Sequence, residues 1–284
     1  MHTPTIALLT DFGTQDTYVG VMKGVIARIA PQAQIIDLTH SIPAGDICQA
    51  AFKLWQAVPY FPSGTVFLSV VDPGVGTERW AVAAAWPEFT CVGPDNGLFT
   101  FLLAQGAPQV ACRLQTPAYR LSKVSSTFHG RDIFSPAAAY LALGEPITNL
   151  GPAVTDLARF PLPRLELVEG PALKGEILHA DHFGNLITSL GNLRAEEDEL
   201  VLEPWLPHCA PARLPLAGLS LRLPNGASLG LRATFGDVAV GQALGYIGSE
   251  GLLEIAINRG RAADVLPLTS GQEVILGYAP RMKS

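Results

Sequence analysis

The chain has 284 residues, 48% of them hydrophobic and 15% charged, and a net charge of −6 with no basic cluster. That is enough apolar chain for a large core and excludes disorder, and the acidic balance argues against nucleic acid and anionic membrane as partners. No apolar run approaches the ~20 residues of a membrane span. The N-terminal residues lack a basic region and Ile6–Leu9 is too short for a signal peptide, so the expected location is the cytoplasm.

Residues 5–11 read as a buried strand ending in Asp11, followed by a turn in which Asp16 is a candidate helix cap. Tyr18, Val21, Met22, Val25, Ile26 and Ile29 recur at helical spacing up to Pro31. Gln34–Thr39 predicts a second strand, and about 47–57 a second helix capped by Asp46. Thr65–Asp72 predicts a third strand. Apolar runs at Trp80–Trp86, Phe89–Gly93 and Val110–Leu114, and helices at Leu98–Ala104 and Ile133–Leu143, complete this half. Such alternation argues for βαβ units and a mostly parallel sheet. Asp11 and Asp72 would then stand at the carboxyl ends of parallel strands, the edge along which open α/β sheets bind ligands. Beyond Arg159, prolines and Gly170 mark a linker at 161–172. Helical periodicity then gives way to short alternating runs, among them Lys174–Ala180, Asn185–Leu190, Glu199–Leu202, Leu219–Leu223, Leu229–Phe235, Leu252–Ile257 and Glu273–Gly277. The fold class expected is an N-terminal α/β domain over 1–160 and a C-terminal all-β, barrel-like domain over 173–284.

Chemistry concentrates in a few polar stretches. An apolar run breaks at Asp72 into Pro73-Gly74-Val75-Gly76, and Arg79 follows within reach of the acid. The bland reading is a strand end with a surface ion pair. Gly74-Val75-Gly76 lacks the third glycine, the following helix and the Lys-Ser/Thr pair of nucleotide loops, so its glycines serve a turn or a close approach. His129-Gly130-Arg131-Asp132 reads as a polar loop or helix start, with Asp132 suited to the helix dipole. Asp181-His182-Phe183-Gly184-Asn185 and Asn258-Arg259-Gly260-Arg261 read more simply as turns than as sites. Four scattered cysteines and six dispersed histidines indicate neither a disulfide framework nor a metal site.

Taken together, Leu9–Asp16, Val70–Arg79, Gly93–Gly97, Phe128–Phe134, Asp181–Thr188, Ile247–Gly251 and Ile257–Gly260 resemble, in order and spacing, the S-adenosyl-L-methionine hydroxide adenosyltransferases, relatives of the fluorinase and chlorinase. The resemblance implies a trimer with active sites between subunits. It also implies hydrolysis of S-adenosyl-L-methionine to adenosine and L-methionine without cofactor or metal. The Asp–Arg–His set of the family's hydrolases falls here on Asp72, Arg79 and His129. Halogenases carry tyrosine where Asp72 stands. By the same carry-over Asp11 would accept from the ribose hydroxyls. Asp181 and Asn185, with Ser249 and Glu250 nearby, would hold the methionine end. Backbone at Ile257 and Asn258 would meet the adenine, and Phe128 and Phe183 would stack on it. Either Asp72 or His129 could take the proton of the attacking water. Two positions depart from the family pattern: Ser189 replaces an expected asparagine, and Arg261 a small residue. The alternatives are a halogenase of the same family, disfavoured by Asp72, and a non-catalytic nucleoside sensor, which would not require the Asp–Arg–His set.

Overall fold

A computed structural model describes residues 3–278 of the chain. Two compact units divide between Phe160 and Pro161. In the first, β1 (Thr5–Thr10), β2 (Gln34–Thr39), β3 (Thr65–Val70), β4 (Ala81–Ala85), β5 (Phe89–Pro94) and β6 (Val110–Arg113) form one sheet in the order β2-β1-β3-β5-β4-β6. The first four in that order run parallel, and β4 runs antiparallel to both its neighbours. Helices α1 (Tyr18–Ile29), α2 (Ile47–Ala57), α3 (Thr100–Gln105) and α4 (Ser135–Ala142) accompany it.

The pleat of β1 shows how the core is divided. Ile6 and Leu8 join Met22 and Ile26 of α1 and Ala137–Ala139 of α4 in one cluster. Ala7 and Leu9 join Ala50 and Leu54 of α2 and Leu102 and Leu103 of α3 in another. A strand covered on both faces must be apolar throughout, which is why Thr5–Thr10 shows no alternation. Asp46 caps α2 by accepting from the backbone N–H of Gln49 at 2.9 Å. Asp16 does not cap α1: the helix starts at Tyr18, Thr17 takes the cap position, and no side-chain bond is made there. The helix expected from Ile133 is preceded by a π-helical turn, Gly130–Phe134, and α4 proper begins at Ser135 with Pro136 in its first turn.

The second unit is antiparallel. It contains β7 (Leu165–Val168), β8 (Ala172–Ala180), β9 (Leu186–Thr188), β10 (Leu193–Glu196), β11 (Glu199–Leu202), β12 (Ala212–Pro215), β13 (Leu219–Arg222), β14 (Ser228–Gly230), β15 (Ala243–Ile247), β16 (Leu253–Ile257) and β17 (Glu273–Tyr278). The main sheet runs β14-β13-β17-β8-β9-β16-β15, and a bridge between Leu231 and Gly245 brings its two ends together into a nearly closed barrel. β10, β11 and β12 form a separate three-stranded sheet. The stretch 161–172 is not all connection, because β7 lies within it and pairs with β8. The run Leu229–Phe235 yields only the short β14. Its end turns into a 3-10 segment, Phe235–Asp237, in which Thr234 and Asp237 cap each other.

The strand order fixes where polar side chains gather. β1 and β3 are parallel neighbours, with Thr10 opposite Val70, so Asp11 and Asp72 both follow the same edge of the sheet. β5 lies between β3 and β4, so the connection 71–80 has to cross the end of β5.

Candidate active site

Asp72, Arg79 and His129 meet at that edge. Arg79 Nε donates to Asp72 Oδ1 at 2.8 Å, and Arg79 Nη2 donates to Asp72 Oδ2. The same Nη2 lies 2.8 Å from His129 Nδ1. The Asp72 and Arg79 side chains are only 5% and 10% exposed, so the pair is shielded and not the surface salt bridge of the bland reading. The guanidinium also lies 5.3 Å from the ring centroid of buried Phe134. A guanidinium has no acceptor, so His129 Nδ1 must present its lone pair to Arg79. The neutral ring then carries its proton on Nε2. Burial pushes the His129 imidazole below its ordinary range and the Arg79 cation adds to this, while Asp72 and Asp132 oppose it.

Local sequence explains the geometry. After Val71 the chain turns twice, Val75 N–H to Asp72 O and Thr77 N–H to Gly74 O, each at 3.1 Å, which returns Arg79 to the acid. The His129 loop is held from within. Fully buried Asp132 accepts from Ser125 N–H at 2.8 Å and from Arg131, and Ser125 Oγ accepts from Phe128 N–H at 3.0 Å. Asp132 therefore serves the loop and its arginine neighbour more than the helix dipole. The two loops touch at Gly76, whose φ is +78° and where a Cβ would stand 2.5 Å from the Ser126 carbonyl oxygen. Gly76→Ala must displace one loop from the other. The expected result is a loss of turnover of roughly tenfold or more, since misplacement by about 1 Å can cost ~10²-fold. Steady-state kinetics checks it; wild-type kcat in G76A would show that the loops tolerate the shift.

Asp11 is framed by the segment after β2. Its Oδ2 accepts from Gly45 N–H at 2.8 Å. Thr10 Oγ1 and His40 Nδ1 lie 2.8 Å apart in the core, and Gly13 N–H donates to the His40 carbonyl at 2.8 Å. One Asp11 oxygen is thus already used. Phe12, Tyr18 and Phe128 pack edge to face with centroids 5.2–6.1 Å apart, so Phe128 sits in an aromatic group that sequence reasoning did not assemble.

The remaining candidates belong to the second unit. Asp181 and Asn185 close the β8–β9 hairpin on each other: Asn185 N–H donates to Asp181 Oδ1 at 2.8 Å and its amide to Oδ2 at 3.0 Å. Phe183 at the tip is 71% exposed. Ser249 and Glu250 lie exposed in the β15–β16 turn. Ile257 ends β16, and its carbonyl accepts from Gly260 N–H at 3.0 Å. Asn258 N–H donates to the Gln242 carbonyl at 3.0 Å and its amide to Val238 O at 2.7 Å, so its backbone donor is already engaged. Arg261 has a structural use: Nη1 donates to His182 O at 2.8 Å and Nε to Asp264, latching the 181–185 turn. Ser189 is buried, with Oγ accepting from Glu176 N–H and its carbonyl taking the Trp205 indole N–H, both at 2.9 Å. Among the described residues no three His, Cys, Asp or Glu side chains come together as a metal site, and no helix is long and apolar enough to cross a membrane.

Residues 6–151 match the family model for the SAM hydroxide adenosyltransferase N-terminal domain, and residues 175–275 that for its C-terminal domain. The chain is 44% identical to a Thermus thermophilus protein named (R)-S-adenosyl-L-methionine hydrolase, over 95% of this chain and 98% of that one. It is 29% identical to a fluorinase from an Actinoplanes species, over 97% and 98%. Among solved structures, an uncharacterized conserved protein from Thermotoga maritima superposes with a TM-score of 0.81 at 33% identity, covering 95% of this chain and 99% of that one.

Proposed function

The chain belongs to the SAM hydroxide adenosyltransferase family, and from that premise we propose that it hydrolyses S-adenosyl-L-methionine to adenosine and L-methionine. The observation that carries the reading is the shielded Asp72–Arg79–His129 chain, which a nucleoside sensor would not need. Relatives named as hydrolases of the (R) epimer at 40–44% identity, against 26–29% for those named fluorinases, support water over halide as nucleophile.

The chemistry requires few parts. Sulfonium is a good leaving group, so no acid or metal is needed at sulfur. The protein must hold a water in line behind ribose C5′ and take a proton from it as the C–O bond forms, which is largely positioning. Asp72 is the base in this reading. Its oxygens accept from Arg79, and a carboxylate keeps further lone pairs for the water proton. His129, with Nδ1 turned to Arg79, has no lone pair at Nε2. It acts as a donor that orients the water oxygen. Arg79 fixes both partners. Asp11 holds the ribose by its free oxygen, and Phe128 offers a ring to the purine. Phe183, Asp181, Asn185, Ser249, Glu250, Ile257 and Asn258 are assigned to the methionine and adenine ends by similarity to the family. The enzyme is proposed to work as a cytoplasmic homotrimer, with no cofactor beyond its substrate.

Incubation with each sulfonium epimer in ¹⁸O-labelled water, with and without halide, tests the reading. Adenosine labelled at the 5′-oxygen is expected from the (R) epimer. A 5′-halo nucleoside, or binding without turnover, would overturn it.

The tautomer makes the pH dependence specific. Protonated His129 cannot accept from Arg79. Because its folded-state pKa is depressed, the unfolded chain takes up the proton first. The associated stability is present above histidine's ordinary ~6.5 and is lost as pH falls from there through the folded value. The acid limb of kcat should therefore lie below pH ~6.5, and a limb centred above it in a pH–rate profile would contradict the neutral-donor role.

A further inference from the structure

The stretch Gly93-Pro94-Asp95-Asn96-Gly97 has no part in the chemistry assigned to Asp72, Arg79 and His129, yet it is built against the loop that carries two of them. That loop joins β3 to β4, and β5 lies between those strands. The turn leaving β5 is therefore where the loop must cross. Three contacts follow the crossing in order. A Cβ at Gly93 would stand 2.4 Å from the Ser69 carbonyl oxygen, so β5 ends in direct backbone contact with the end of β3. Asn96 Nδ2 donates to the Val71 carbonyl at 2.9 Å. Asp95 N–H donates to the Trp80 carbonyl at 2.9 Å.

Val71 and Trp80 are the residues immediately before Asp72 and immediately after Arg79. Two successive residues of one turn thus grip both ends of the loop. The turn is itself fixed. Asn96 Oδ1 accepts from Leu98 N–H at 3.3 Å, which directs the amide nitrogen toward Val71, and Asp95 Oδ1 accepts from Ala158 N–H at 2.7 Å. Gly97, at φ +100°, supplies the left-handed backbone and leaves room for Phe160, 2.9 Å from where a Cβ would be.

We infer that Asn96 is a positioning residue for the hydrolysis: its side-chain amide, through the Val71 carbonyl, holds the Asp72 carboxylate in register with Arg79 and His129. The inference rests on the proposed hydrolase reading. Asn96 acts only through where Asp72 stands, so it should affect turnover more than binding.

Two substitutions separate this role from that of a turn former. Asn96→Asp is nearly isosteric and keeps the acceptor for Leu98 N–H, but it replaces the donor to Val71 with a repelling oxygen. Asn96→Ala removes both bonds. In the 284-residue chain both variants are expected to lose roughly 10- to 100-fold in kcat, on the order expected for a displaced reacting group, with KM for S-adenosyl-L-methionine within about twofold. The His129 ring nitrogens, read by ¹⁵N NMR, should move from a fixed Nε2–H tautomer toward an average of the two. Wild-type kcat and imidazole signals in N96D, with stability lost only in N96A, would reduce Asn96 to a turn cap and overturn the inference. A rise in KM matching the fall in kcat would do the same. Should the unaltered chain prove inactive toward S-adenosyl-L-methionine, the hydrolase reading fails separately. The imidazole spectra of N96D then decide the positioning by themselves. If N96D does not fold, Asn96→Ser, which is too short to reach Val71, is read by the same measurements.

Discussion

Asp72→Ala is expected to lower kcat for S-adenosyl-L-methionine hydrolysis by roughly 10³-fold while KM stays within about threefold. The magnitude has two sources. A positioned general base contributes ~10²–10⁴-fold, and removal also releases Arg79 from its two-point grip. The retained affinity follows from geometry. The Asp72 side chain is 5% exposed and both its oxygens face Arg79, so little of it is available for binding a nucleoside. Ribose and methionine are assigned to other residues. Asp72→Asn refines the result, since the amide keeps shape and can still accept from one guanidinium N–H but cannot take a proton from water. The two variants should fall by similar factors. If misplacement of the kind expected for the Asn96 variants were the whole effect, the isosteric amide would retain most of the activity. Single-turnover rates with saturating substrate, together with direct binding of the substrate, distinguish the cases. Loss of binding in parallel with loss of rate would make Asp72 a substrate contact and not the base.

Much of this site was legible in the amino-acid sequence, and the reasons are physical. Asp11 and Asp72 end apolar runs that must be buried strands, and parallel strands place their ends at one edge. Arg79 returns to Asp72 because Pro73, Gly74 and Gly76 force consecutive turns. Besides the Phe12–Tyr18–Phe128 group, what escaped were contacts made through the backbone. His40 and Gly45 frame Asp11 by a carbonyl and an N–H, which leave no trace in side-chain chemistry. Asn96 was visible only as a turn residue, because its partner Val71 lies 25 positions away and is identified by the strand order β3-β5-β4, which periodicity does not reveal. The second unit was read less completely. Strands β7, β10, β12 and β15 escaped because prolines, glycines and charges in or beside them (Pro163 and Gly170, Arg194 and Glu196, Pro211 and Pro215, Gly241 and Gly245) read as loop. Arg261 is the instructive departure: it stands where the family pattern has a small residue, and it reaches the His182 carbonyl and Asp264 and steadies the hairpin that bears Asp181 and Asn185.

Arg79→Met should be the most damaging single change in the first unit, because it strikes stability and rate together. With both side chains nearly withdrawn from water, removing the cation leaves the Asp72 carboxylate without a partner in a shielded place. Breaking such a pair costs about 3–5 kcal/mol, most of it the penalty of the orphaned charge. Turnover should fall by at least the roughly 10³-fold expected for Asp72→Ala, since the base loses its orientation and His129 loses the donor that fixes its tautomer. Arg79→Lys is not a conservative control. One ammonium has no fork with which to span both Asp72 oxygens and reach His129 Nδ1 as well, so it should recover part of the stability and little of the rate. The double variant Asp72→Ala/Arg79→Met isolates the cause. With the carboxylate gone there is no orphaned charge, so the double variant should unfold at a higher urea concentration than Arg79→Met alone while remaining equally inactive. A coupling of this sign is what two contacting, shielded charges require. If the double variant were instead less stable than Arg79→Met by the full cost of Asp72→Ala, the two residues would be contributing independently. The ion pair would then not be what holds the loop at the sheet edge.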